Sequence, residues 1–392
     1  MTDTPIARRN IVVLTAAQAL GGASAPIVMS LGGLVGHQLA PDPAMATVPV
    51  SVFGLGLAVG TIPAALIMRR FGRRTGYLLG ALFGVLAGGV AAFGIFAGAF
   101  WVFTCGTFIA GLYGAYVQSY RFAAADAAEG ALKAKAISWV MVGGLVGAVI
   151  GPQLVIWTRD AVAGTPFAGS FVSQAILPLI AIPILLQLRA PPIGEAGAQR
   201  GGRTLGQLLA SPRYVLAVSA GVVSYGLMAL LMTGAPLAMV EHGHSVGSAA
   251  LGIQWHLLAM FGPSFFTGKL MARFGKERVT AVGMALIAVA AAIGLSGVAV
   301  AHFWATLIVL GVGWNLSFIG ATAMVTDCPT PEERAMAQGA NDFMVFGATA
   351  AVSFLAGAAL NTGGWSLLNW MIFPPLAIIL VPLIWKASRS PA

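Results

Sequence analysis

Residues 10–41 contain no Asp, Glu, Lys or Arg. Five further uncharged runs are of comparable length: 43–68, 136–158, 161–188, 214–240 and 242–268. Three more, 75–120, 279–326 and 343–385, are about double length. A helix needs about 20 apolar residues to cross a bilayer, so each shorter run predicts one crossing. Each longer run predicts two, with breaks at Gly98, at His302 and within 361–364. Six single crossings and three pairs predict twelve transmembrane helices. A water-facing surface is excluded by charge content, 8% here against roughly 25% in soluble domains. A transmembrane barrel would need alternating segments of about 10 residues, and no such period is present. The predicted fold class is an all-α integral membrane protein.

Lysine and arginine set the expected orientation. With the N-terminus in the cytoplasm, all 21 basic residues except Arg121 and Arg159 fall in cytoplasmic segments, as the positive-inside rule demands of short loops. The net charge of +9 is thereby assigned to topology, and nucleic acid is not an expected partner. Arg8 and Arg9 precede an apolar run too long for a signal peptide, which is read as an uncleaved first helix. Cys105 and Cys328 make no disulfide framework. The Gly-, Pro- and Arg-rich stretch 189–213 reads as a cytoplasmic linker. It separates an N-terminal six-helix bundle, 1–188, from a C-terminal one, 214–392. Both termini are expected in the cytoplasm of a multi-pass protein of the inner (plasma) membrane.

The two halves echo each other. LIMRRFGRR begins at Leu66 and LMARFGKER at Leu270. A shift of about 200 residues lays Arg70, Phe71, Gly72 and Arg73 on Arg273, Phe274, Gly275 and Lys276. Each copy lies between the second and third helices of its half, so the repeat is parallel, related by an axis along the membrane normal.

These features resemble the major facilitator superfamily of secondary transporters, over nearly the whole chain. That family's loop pattern is G-x-x-x-D-[RK]-x-G-[RK]-[RK]. Arg70, Gly72, Arg73 and Arg74 match it in the first half, and Gly268, Arg273, Gly275 and Lys276 in the second. Gly147, Gly151 and Pro152 match a second pattern, G-x-x-x-G-P in helix 5, and are expected to shape a bend or close contact. The sequence departs from the family where its loop aspartate stands: Arg69 takes that place in the first half and Ala272 in the second. The resemblance implies a gating latch against the start of helix 11. The expected pairs are Arg69 or Arg70 with Asp342, and Arg73 or Arg74 with Asp126.

Polar groups inside the hydrocarbon are functional candidates by default. In the fourth predicted helix Tyr113, Tyr116 and Tyr120 share one face at helical spacing, and Gln118 with Arg121 shares a neighbouring one. Gln18, Tyr225, Trp314 and Asn315 lie in the first, seventh and tenth helices, which the resemblance places along the substrate path. His256, in the eighth, can titrate near neutral pH and is a candidate carrier of a coupling proton. Each of these also has a plain packing role available. No helix midsection carries Asp or Glu, which favours a neutral or anionic solute, possibly aromatic, over an organic cation. No Walker A sequence points to ATP, no His/Cys cluster has metal spacing, and no cofactor is expected. The expected activity is alternating-access transport of a small organic solute by a monomer in the lipid bilayer, with protons as a candidate coupling ion. The rival readings are a receptor or sensor on the same scaffold and a membrane enzyme. A sensor would need a signalling domain, and an enzyme a nucleophile–base pair or metal set. Neither is visible.

Overall fold

The computed structural model describes residues 5–126, 130–189, 203–330 and 333–389. The described chain is helical, without a strand, and divides into two compact units, Met1–Glu195 and Ala196–Ala392. The first unit contains α1 (Pro5–Gly21), α2 (Ser24–Leu39), α3 (Val48–Phe71), α4 (Arg73–Phe96), α5 (Phe100–Asp126), α6 (Gly130–Thr158) and α7 (Ala168–Leu185). The second contains α8 (Leu205–Leu209), α9 (Pro212–Glu241), α10 (Val246–Phe261), α11 (Ser264–Phe274), α12 (Lys276–Ser296), α13 (Val300–Thr326), α14 (Arg334–Trp370) and α15 (Phe373–Arg389).

Ten stretches among the described residues are long and apolar enough to cross a membrane. One of them, Met336–Lys386, is 51 residues long and is kinked at Gly364, whose φ is 65°. The twelve predicted crossings compare with these ten stretches, one of them kinked, and with α10 and α11, each shorter than a span. The break expected at Gly98 is present, with φ 61°. The one expected at His302 lies earlier. Gly297 ends α12 in an extended conformation, and His302 already belongs to the first turn of α13. The linker also differs from expectation. Its end at 205–209 is the short helix α8, started by a Thr204–Gln207 capping box, and α9 begins at Pro212.

Two predicted single helices are broken. The first crossing divides at Gly21–Ala23 into α1 and α2, where Gly22 and the nearby Pro26 weaken the helical ladder. The eighth divides at Gly262–Pro263 into α10 and α11, again where proline has no N–H to donate. Large apolar residues are exposed along one face of α15, Ile378, Val381 and Trp385, while Leu376, Ile379 and Leu383 on the other face are buried. That division suits a helix packed against protein on one side and lipid on the other.

Glycine sets how closely the helices approach. A Cβ at Gly56 of α3 would stand 2.2 Å from the Phe108 carbonyl of α5, and one at Gly111 would stand 2.1 Å from the Phe53 carbonyl. In the second unit a Cβ at Gly283 of α12 would meet the Ser317 amide at 2.3 Å. Lipid tails are as apolar as the side chains, so close backbone packing between small residues takes over the work that hydrophobic burial does in water.

The sequence repeat is also conformational. The predicted loop between α3 and α4 is the single residue Gly72, at φ 83° and ψ 158°, and Gly275 between α11 and α12 has φ 87° and ψ 151°. Only glycine adopts this backbone region readily, which explains its place in both motifs. The neighbouring arginines also match: the guanidinium of Arg70 lies 5.3 Å from the Phe71 ring and that of Arg273 5.2 Å from the Phe274 ring.

Candidate functional site

The tyrosine stripe of α5 faces α4. Tyr113 lies against Gly84 and Gly21, where an added Cβ would come within 2.8 Å and 2.6 Å of its atoms. Tyr116 covers Gly80 and stacks near Phe83, with ring centroids 6.3 Å apart. Tyr120 meets Tyr77 edge-on at 4.7 Å. All three tyrosines are buried. Tyr113 and Tyr116, expected as substrate contacts, therefore fill a helix–helix seam: glycines on α4 leave grooves and the rings occupy them.

The adjacent side of α5 is open. Gln118 is exposed and Arg121 half-buried, its guanidinium 4.8 Å from the centroid of Phe122. Gln18 of α1 is half-buried beside the break, near Gly22 and the α6 glycines Gly143 and Gly144. The G-x-x-x-G-P face of α6 packs on that same break. A Cβ at Gly147 would come within 2.9–3.0 Å of Ala19, Gly22 and Ala23 backbone atoms, and one at Gly151 within 2.7 Å of Pro26. The close contact expected of Gly147 and Gly151 is thus made with the broken first crossing, and Pro152 is buried beside it.

In the second unit, Asn315 proves to be a structural clasp rather than an open polar group. Its amide nitrogen donates to the Met260 carbonyl and to Ser264 Oγ, both at 2.7 Å, and its Oδ1 accepts from Thr267 Oγ1 at 2.6 Å. Those partners flank the Gly262–Pro263 break, so Asn315 satisfies the Met260 carbonyl, which a continuous helix would have bonded itself, and ties in the Ser264 and Thr267 hydroxyls. His256 is fully buried, and its Nδ1 donates to the Leu307 carbonyl at 2.7 Å, bridging α10 to α13. Ser224 of α9 is hydrogen-bonded to Ser317 of α13.

Tyr225 and Trp314 belong to a larger group than the sequence suggested. Tyr225 stands edge-to-face with Trp314, Phe318 and Phe346, at centroid distances of 5.4, 5.0 and 5.8 Å. Trp314 stacks on Phe318 at 5.0 Å with 19° between planes, and Phe261 lies 6.2 Å away. Phe318 follows Trp314 by four residues, one helical turn. That spacing was the sequence signal available for it. Phe261 and Phe346 lie on other helices and carried none.

The basic end of the second unit holds ion pairs that sequence reasoning missed. Lys276, the motif residue equivalent to Arg73, reaches Asp327 at the end of α13 at 2.6 Å. Arg213 lies 3.9 Å from the same carboxylate, and Lys386 lies 3.3 Å from Glu277. Arg203 makes a fork with Glu333: its Nε donates to Oε1 at 3.0 Å, its Nη2 to Oε2 at 2.9 Å, and its backbone N–H to Oε1 at 2.6 Å. Glu333 Oε2 also accepts from the Thr330 amide at 3.0 Å. Arg203's side chain, then its backbone N–H and that of Thr330, hold the Glu333 carboxyl well below its ordinary range, at about 2.

The residues of the expected latch are described only in part. The side chains of Arg69 and Asp126 lie outside the described residues. Arg70 and Arg74 are exposed and Arg73 is half-buried. Asp342, near the start of α14, is exposed and accepts from the amide of Asn341 at 3.1 Å.

A sequence model of the Major Facilitator Superfamily matches residues 11–263 and 219–392. The riboflavin transporter RfnT of Brucella anthropi is 63% identical over 394 residues, covering 100% of this chain and 99% of that protein. An uncharacterized MFS-type transporter of Bacillus subtilis, YdeG, is 30% identical across 97% of this chain and 93% of its own. Among solved structures, the xylose transporter XylE from E. coli, partially occluded and inward open, superposes with a TM-score of 0.74 at 15% identity, covering 98% of each chain. A bacterial homologue of the human lysosomal transporter Spinster gives 0.73 at 16% identity over 100% of each chain. The likeness to solved structures is one of fold. With the family match across the chain and a full-length relative at high identity, it makes this chain a transporter of the Major Facilitator Superfamily, a multi-pass integral membrane protein and not an enzyme.

Proposed function

We propose that this chain carries riboflavin across the plasma membrane of a bacterium by alternating access. The observation that carries the reading is the 63% identity, over the full length of both chains, to a riboflavin transporter. The composition of the helices supports it. Riboflavin is uncharged at neutral pH, and no carboxylate stands at the middle of any predicted crossing to attract an organic cation. The molecule is also amphipathic, with a flat aromatic ring system and a polyol chain. The exposed Gln118 amide and the half-buried Arg121 guanidinium on α5 supply donors suited to hydroxyl and carbonyl oxygens. Gln18, half-buried beside the α1–α2 break, supplies another amide. The distribution of basic residues along the sequence favours an orientation with both termini in the cytoplasm.

A bacterial strain unable to make riboflavin tests this reading. Expression of the chain is expected to restore growth on low external riboflavin, and unlabelled riboflavin to compete with uptake of the labelled vitamin. Failure of a well-expressed, membrane-inserted chain to alter riboflavin movement in either direction would reject it. Arg121→Gln is expected to raise the KM for riboflavin more than it lowers the maximal rate.

A further inference from the structure

We propose that the end of the first unit where α1 begins and α7 closes is a docking site for an anionic phospholipid, whose headgroup is held by Arg9 and Arg189.

Three observations point there. The first is a fixed juxtaposition. Arg9 lies near the start of α1 (Pro5–Gly21), and Arg189 lies just past the end of α7 (Ala168–Leu185). Asn10 joins them. Its amide nitrogen donates to the Arg189 carbonyl at 2.9 Å, and its Oδ1 accepts from the Arg189 amide at 3.0 Å. Asn10 is only 1% exposed, so this two-way bond is sheltered from water. It holds Arg189 beside the residue that follows Arg9.

The second is unmatched charge. Arg9 and Arg189 are both exposed, and neither guanidinium has a hydrogen-bond or ion-pair partner among the described residues. The carboxylates of this unit whose side chains are described, Asp42 and Asp160, stand in connections at the other end of the spans. The second unit is the contrast. There Arg203 pairs with Glu333, Lys276 and Arg213 with Asp327, and Lys386 with Glu277. Those bases receive anions from the chain itself. The third is the apolar setting. Val12, three residues after Arg9, is 67% exposed, and Leu186, three before Arg189, is 46% exposed. Each charge thus stands next to an apolar side chain that protein leaves uncovered.

A phospholipid of net negative charge matches both features. Its phosphate accepts from guanidinium groups, which present several N–H donors in a planar fork, and its acyl chains cover the apolar neighbours. Paired cations at a membrane surface favour an anionic lipid over a zwitterionic one, because only the former brings net charge. A free phosphate ion would meet the guanidinium groups and leave Val12 and Leu186 bare. Asn10 is a positioning residue here, since it sets where Arg189 stands and is itself buried.

The test uses the full-length protein purified in detergent and titrated with phosphatidylglycerol in mixed micelles. Tm is read without riboflavin, so the result is independent of the solute carried. A lipid that binds the folded protein raises Tm. Phosphatidylglycerol is expected to raise it, and phosphatidylcholine or inorganic phosphate at the same concentration is not. Arg9→Gln and Arg189→Gln are each expected to raise the lipid concentration needed for half the effect about fivefold, and the double variant about 25-fold. Asn10→Leu keeps both charges but frees Arg189, and is expected to shrink the lipid-induced rise. The arginine variants decide the matter if Asn10→Leu does not fold. Lys269→Gln removes an exposed base of the second unit and is expected to change nothing. An equal rise with phosphatidylcholine or with inorganic phosphate would overturn the site, as would a folded double variant that responds like wild type. A loss with Lys269→Gln as large as that with either arginine variant would overturn it too, since net charge alone would then explain the preference.

Discussion

Asn315 has no polar atom left over for a solute. It sits in the tenth crossing, where a lone buried amide invites a binding role, but its nitrogen and oxygen together hold Met260, Ser264 and Thr267 around the Gly262–Pro263 break. Asn315→Leu would leave a buried carbonyl and hydroxyl without that partner, a loss of about 1–3 kcal/mol. The expected result is a lowered Tm with the KM for riboflavin little changed. A raised KM at unchanged Tm would mean that Asn315 touches the solute. The position was legible in the sequence and its role was not, because three of its contacts come from residues about 50 positions away. The same holds for Tyr113 and Tyr116. Their helical spacing was evident, but only the structure shows that glycines on α4 receive the rings. Phe318, one turn after Trp314, could have been paired with it from spacing alone.

At the scale of elements, the spans were read from uncharged runs, because lipid tolerates little else. The breaks at Gly21–Ala23 and Gly262–Pro263 lay inside such runs. Their signals, paired glycines before Pro26 and a Gly-Pro step, were outweighed by unbroken hydropathy. Close helix contacts make another prediction. Gly111→Val would drive a branched side chain into the Phe53 carbonyl and the Leu57 amide of α3, backbone atoms that cannot swing away. The variant is expected to lose most of its thermal stability or its membrane insertion, measured by fluorescence-detected gel filtration, and wild-type behaviour would contradict the tight α3–α5 seam. The Arg203–Glu333 fork ties the segment before α8 to the start of α14. Because the folded Glu333 carboxyl is depressed to about 2, its contribution is fully present above the ordinary carboxylate range. It fades as pH falls from about 4.5 towards 2. Glu333→Gln should flatten the acid side of the Tm–pH curve relative to wild type. A parallel curve would show that the fork adds no pH-dependent stability.

For the whole molecule, the parallel repeat is the most informative feature of the sequence, since it predicts two halves of one orientation. Its structural counterpart is specific: Gly72 and Gly275 share a backbone conformation closed to most residues, and each follows an Arg–Phe pair of matching geometry. Alanine at either glycine should cost about 1–3 kcal/mol of strain, read as a lowered Tm of similar size for both. A large loss at one and none at the other would break the equivalence. The substrate was beyond the sequence alone. Absence of central carboxylates narrowed its charge, and the aromatic residues hinted at a ring; the proposal of riboflavin rests on full-length identity to a riboflavin transporter. The most direct test is riboflavin counterflow in proteoliposomes holding only this protein. Vesicles preloaded with unlabelled riboflavin are expected to accumulate external labelled riboflavin transiently, with the overshoot lost in protein-free vesicles and reduced by lumichrome. Equal label in protein-containing and protein-free vesicles, with the protein shown to be folded and inserted, would contradict the account.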